Sequence, residues 1–223
     1  MALHLEKAIK KLTGELIQLS SHVEESVKLS IKSLIYKDIE LAKRVIKDDE
    51  IIDRKEIDIE EECLKIFALH QPVAIDLRRL VTILKINNDL ERIGDLSQNI
   101  SKNVLRILSS SVFVEGFDIG KICNSVQLMV KKSIDSISSV NIEKAREILK
   151  MDDIVDEQNS TLYNEMIKKI KESPEKMEIL IQYIHIIRHL ERIADHTTNI
   201  AEDIIYMIKG EIVRHQQTQT DKK

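Results

Sequence analysis

The stretch Leu90-Glu91-Arg92-Ile93-Gly94-Asp95-Leu96-Ser97-Gln98-Asn99-Ile100 returns one hundred residues later as Leu190-Glu191-Arg192-Ile193-Ala194-Asp195-His196-Thr197-Thr198-Asn199-Ile200, with seven of the eleven positions identical. A chain that repeats a stretch of this length is built from two copies of one plan. Glu, Asp and Asn occupy every fourth place in both copies. On an α-helix, residues four apart stand above one another on one face, so each copy lines up two carboxylates and an amide. Like charges at that spacing destabilise an isolated helix by about 0.2–0.5 kcal/mol. Their paired occurrence points to something positive between them.

The rest of the chain repeats as well. Asp49 and Asp53 return as Asp152 and Asp156, and Val27, Ser30, Ile31 and Leu34 return as Val130, Ser133, Ile134 and Ile137. These pairs share an offset of 103, against 100 for the Glu-Arg-Ile stretches. Three residues are therefore lost between them, at a helix–helix turn where length changes do not disturb packing.

Apolar residues recur at threes and fours over residues 3–35, where Leu5, Leu12, Leu16, Leu19, Val23, Val27, Ile31 and Leu34 mark the buried stripe of a first helix. Asp38 is placed to cap a second helix that runs to about residue 69, and Gln71-Pro72 ends it. A third helix is predicted from Pro72 to about residue 108. Residues 109–120 alone have loop character. The plan then repeats: a helix to about 140, an Asn141 cap, a helix to about 170, the breaker Ser173-Pro174, and a last helix to about 207 before Gly210. The expected fold is all-α, six long helices forming two tandem, homologous three-helix bundles. The units span residues 1–112 and 113–210, and a polar tail over 211–223 is expected to fray.

Composition narrows the functions. Five glycines, two prolines and no tryptophan in 223 residues suit long helices with few turns. The net charge of -4, with Lys and Arg scattered among the acids, leaves no basic stripe for nucleic acid. Cys63 and Cys123 stand apart in apolar runs and read as buried thiols of a reduced compartment. No apolar run reaches the eighteen residues of a bilayer span, and the N-terminus lacks the pattern of a signal peptide. A cytoplasmic protein with access to the inner face of the membrane is expected.

The second and third helices of each unit are joined by a tight turn and run antiparallel. Asp49 and Asp53 lie about 20 residues before Pro72, and Glu91 and Asp95 about 20 after it, so equal walks of about 1.5 Å per residue bring the pairs level. The same holds for Asp152, Asp156, Glu191 and Asp195 about Pro174. Four carboxylates per unit can converge. At 100° per residue, Ile186, Leu190, Ile193, Thr197, Ile200 and Ile204 define the buried sector of the last helix, which puts Glu191 and Asp195 on its flank or outer surface. Such hard oxygen ligands suit iron, manganese, magnesium or calcium, with Asn99 or Asn199 adding an oxygen or holding a carboxylate.

A charged solvent face is the ordinary alternative for any one such pair. Arg92 and Arg192 are placed to pair with the acids or with a partner. His185, His189 and His196 cluster beside Glu191 and Asp195, which would permit a mixed set for zinc or iron, but the first unit does not repeat them. The sequence holds no Glu-x-x-His, Gly-x-Ser-x-Gly, Walker loop, dinucleotide fingerprint or His-Glu-x-x-His, so a surface for protein contact is favoured over an enzyme.

Leu69-His70-Gln71-Pro72-Val73-Ala74 with Asp76-Leu77-Arg78, Asn88-Asp89-Leu90-Glu91-Arg92-Ile93-Gly94-Asp95, and Arg188-His189-Leu190-Glu191-Arg192-Ile193-Ala194-Asp195-His196 resemble the motifs of the PhoU family, over nearly the whole chain. The resemblance implies a homodimeric negative regulator of the phosphate-starvation response. It would link the ATPase and permease of a phosphate transporter to a sensor histidine kinase, and so lie at the inner membrane through its partners. The resemblance further implies that Asp49, Asp53, Glu91, Asp95, Asp152, Asp156, Glu191 and Asp195 are metal ligands. The expected metal is multinuclear iron, with manganese, zinc, magnesium or calcium as alternatives. A metal-dependent phosphoryl-transfer enzyme or phosphatase is the competing function, and storage of metal or phosphate ranks last.

Overall fold

The computed structural model describes residues 2–211, so the predicted tail lies outside the described residues from position 212 onward. Among the described residues six helices follow one another: α1 (Ala2–Tyr36), α2 (Ile39–His70), α3 (Ala74–Ser109), α4 (Gly120–Ser139), α5 (Ile142–Glu172) and α6 (Met177–Lys209). A 3-10 turn, Pro174–Lys176, precedes α6. The expected all-α pair of three-helix bundles is what forms, with α1, α2 and α3 packed together and α4, α5 and α6 packed together.

Short-range chemistry fixes most helix ends. The Asp38 carboxylate accepts hydrogen bonds from the Glu40 and Leu41 amides at 2.9 and 3.0 Å, and the Asn141 side chain does the same for Glu143 and Lys144. Gly210 closes α6 at φ 74°, a left-handed turn that glycine adopts without the Cβ penalty. The start of α3 differs from the expectation. Gln71 takes a left-handed conformation at φ 45° with its amide on the Phe67 carbonyl, and Val73 is extended, so the helix begins at Ala74 and Pro72 stays in the turn. Pro174 does sit in a first helical turn, but of the 3-10 type.

The two bundles share one continuous core. α3 packs along α6 and α1 along α4, and buried Leu90, Ile93 and Ile100 belong to the same cluster as Leu190, Ile193 and Ile200. Each such side chain contributes about 1.5–3 kcal/mol on burial. α3 and α6 run antiparallel: Arg78 lies against Gly210, Lys85 meets Asp203, and Asp89 meets His196 and Asn199. The α2–α3 turn and the α5–α6 turn therefore lie at opposite ends of the α3–α6 seam. Among the described residues no helix is long and apolar enough to cross a membrane.

Candidate functional site

Each unit carries the predicted carboxylates on the facing flanks of its second and third helices. In the first unit Asp49 of α2 is only 4 % exposed. α2 and α3 come close there because position 94 is glycine: a Cβ at Gly94 would lie 3.1 Å from the Ile52 methyls and 3.6 Å from Asp49 Oδ1. Asp53, one turn on, is exposed, and Glu91 and Asp95 are half-buried. Gln98 Nε2 donates to Asp49 Oδ2 at 2.5 Å, and the Lys102 ammonium donates in turn to Gln98. Arg92 lies 3.4 Å from Glu91 and 3.5 Å from Asp95. Asp49 Oδ1 is buried with no hydrogen-bond partner among the described residues.

The second unit repeats the placement with Asp152 half-buried and Asp156 exposed on α5, and Glu191 half-buried and Asp195 exposed on α6. Asp152 Oδ1 is likewise buried and unpartnered.

Burial and mutual repulsion act on both sets in the same sense. Loss of hydration, then the charges of Asp53, Asp95 and Glu91, push the Asp49 carboxyl from 3.8 up to about 6. Asp152 rises to about 6 through its burial, then Asp156, Asp195, Asp153 and Glu191. Burial and Asp95 raise Asp53 and Glu91, with Arg92 opposing at Glu91. In the second set, desolvation and neighbouring aspartates raise Glu191 and Asp195. The structure thus brings Asp49, Asp53, Glu91 and Asp95 within electrostatic reach of one another, and Asp152, Asp156, Glu191 and Asp195 likewise.

The expected metal cofactor is not supported. Among the described residues, no group of three or more His, Cys, Asp or Glu side chains is arranged to hold a metal ion. Within the first set Asp49 is buried and Asp53 exposed. Their oxygens face cations and donors of the protein itself, Arg92 on Glu91 and Asp95, and the Gln98–Lys102 relay on Asp49. This overturns the expectation of multinuclear iron, and of manganese, zinc, magnesium or calcium in its place. The phosphatase reading loses its metal with it.

The histidines also part company. His185 is exposed. His189 is half-buried and held neutral, its pKa lowered to about 4 by desolvation, then by His185 and Arg192. His196 turns across the seam, with Nδ1 2.8 Å from Asp89 Oδ1. Asn199 donates to the same oxygen at 3.3 Å, so it holds a carboxylate of the other unit. Sequence reasoning missed Asp89, the Lys85–Asp203 pair at 2.5 Å, and Gln98. The one available signal was a break in the repeat: Asp89 corresponds to His189, Lys85 to His185 and Leu96 to His196.

The model of the PhoU domain matches this chain twice, over residues 16–104 and 119–204. The chain belongs to the PhoU family. Among its PhoU relatives, the phosphate-specific transport system accessory protein PhoU homolog of Clostridium acetobutylicum is 35% identical over 209 residues, which cover 93% of this chain and 95% of that protein. The homolog of Aquifex aeolicus is 35% identical over 212 residues, covering 95% and 96%. The crystal structure of PhoU from Pseudomonas aeruginosa superposes with a TM-score of 0.89 at 31% identity, covering 92% of this chain and 99% of that one. The phosphate transport system regulatory protein PhoU from Streptococcus pneumoniae gives 0.87 at 29%, covering 94% and 99%. As a PhoU-family chain, it is a phosphate transport accessory and regulatory protein.

Proposed function

We propose that this chain is a non-catalytic adaptor that restrains phosphate uptake and phosphate-starvation signalling, contacting the ATPase and permease of a phosphate transporter and a sensor histidine kinase. It acts in the cytoplasm as a homodimer held at the inner membrane by these partners, and it does not bind nucleic acid. Its working units are residues 1–112 and 113–210, followed by the polar tail 211–223. The observation that supports the reading most is the match, over nearly the full length of both chains, to relatives named as accessory proteins of phosphate-specific transport.

The two acidic sets are the contact sites in this reading. Asp49, Asp53, Glu91 and Asp95 form one, and Asp152, Asp156, Glu191 and Asp195 the other, each with an exposed edge at Asp53 or at Asp156 and Asp195. Negative charge on an exposed edge attracts Lys- or Arg-bearing segments of a partner and steers their approach. Affinity capture from phosphate-replete cells tests it. The wild-type chain is expected to retain transporter or kinase subunits, and Asp53→Lys with Asp156→Lys to lose them. Equal retention by the double variant would remove the acidic sets from the contact. Capture of neither partner class by the wild type would remove the adaptor role.

A further inference from the structure

The apolar side chains of the α3–α6 seam do not tell its two sides apart. Leu90, Ile93 and Ile100 of α3 return as Leu190, Ile193 and Ile200 of α6, and all six are buried. A face that repeats in this way fits a second copy of itself as well as it fits its homologue. Two chains can therefore join α3 to α3 and α6 to α6 and bury the same residues. Wrong joining of units is a characteristic failure of repeat proteins.

The polar residues along the seam do tell the sides apart. Lys85 meets Asp203 at 2.5 Å, and Asp89 meets His196 at 2.8 Å and Asn199 at 3.3 Å. In the same antiparallel register, the equivalent His185 comes level with Asn103, and the equivalent His189 with Leu96 and Asn99. The two flanks are unlike. Among the described residues neither His185 nor His189 makes a hydrogen bond or ion pair to α3, and His189 Nδ1 is buried without a hydrogen-bond partner. Asn103 donates back to the Asn99 carbonyl of its own helix.

The contacts of the wrong joining follow from the same register. α3 against a second α3 sets Lys85 against Asn103, and sets Asp89, 7% exposed, against Leu96 and Asn99. Lys85 loses its carboxylate and Asp89 its imidazole. α6 against a second α6 sets His189 against His196, and leaves Asp203, 2% exposed, with His185 in place of a lysine. A buried charge that loses its partner is strongly disfavoured, whereas apolar residues at these places would be indifferent to the choice.

We propose that Lys85, Asp89, His196 and Asp203 select the partner at the seam: they make α3 accept an α6 and refuse a second α3. A single buried polar position does this in coiled coils, where it fixes register and oligomeric state at a cost in stability. The inference concerns how the units join and does not rest on the adaptor reading.

Light scattering on the full chain, with helicity followed by circular dichroism, tests it. His196→Leu with Asp203→Asn gives α6 the residues that α3 carries at the equivalent places, and so removes the preference. This variant is expected to stay helical and to divide between the wild-type mass and about twice that mass or more. Leu in place of all four selecting residues is expected to do the same while keeping the shared core. Helical variants that both hold the wild-type mass would overturn the proposal. Loss of helicity in both would assign the four residues to stability instead and overturn it equally.

Discussion

Asp49 shows how much one residue can carry. Its position on α2 and its level with Glu91 and Asp95 follow from counting along the sequence, yet its burial does not. The 100° rule gives a direction about one axis, whereas how far the neighbouring helix covers that direction depends on Gly94 and on Gln98 reaching across from α3. An acid whose native pKa lies above its unfolded value holds more protons when folded, so its contribution to stability falls as pH rises from about 4 to about 6 and is constant above. Asp49→Asn is therefore expected to stabilise the protein at pH 7, by at most about 2–3 kcal/mol, and to flatten the slope of stability over that window in urea unfolding. Unchanged stability at pH 7 with an unchanged slope would contradict the placement. His189 acts in the opposite sense: its depressed pKa of about 4 means that stability is lost as pH falls from 6.5. His189→Gln is expected to flatten the acid limb that remains in the Asp49→Asn protein.

At the scale of the element, the helices were legible because their signals are local. The Asp38 and Asn141 caps need only the two amides that follow them, and Gly210 needs only its own φ. Asp38→Ala and Asn141→Ala are each expected to cost about 1 kcal/mol, read as a drop in urea midpoint with an unchanged m-value. The start of α3 was misplaced because a Pro inside a first turn and a Pro inside the preceding loop give the same sequence signal. Gln71 decides between them by taking a left-handed conformation, which is uncommon outside Gly and Asn. The acidic sets were half legible on the same grounds. Which helix faces carry them follows from periodicity, while what neutralises them does not. Arg92 is three residues from Asp95 and within reach on one helix, but the Gln98 contact to Asp49 joins two.

For the whole molecule, the repeat revealed two units and said nothing of how they join. The polar contacts across the α3–α6 seam draw on residues that break the repeat, so a search for repeated features passes over them. Asp89 with His196 is the clearest case. His196→Leu removes one partner from a carboxylate that is 7% exposed and is expected to cost about 1–3 kcal/mol. Because one core runs through both bundles, the protein is expected to unfold in a single transition seen alike by circular dichroism and calorimetry. Two transitions would mean that the seam is weaker than its packing implies. The central claim concerns what this joined pair of bundles does in the cell, and expression from a phosphate-starvation promoter in cells with ample phosphate tests it most directly. Deleting the gene is expected to switch the promoter on, and restoring the wild-type chain to silence it; a promoter that stays silent in the deletion strain would contradict the account.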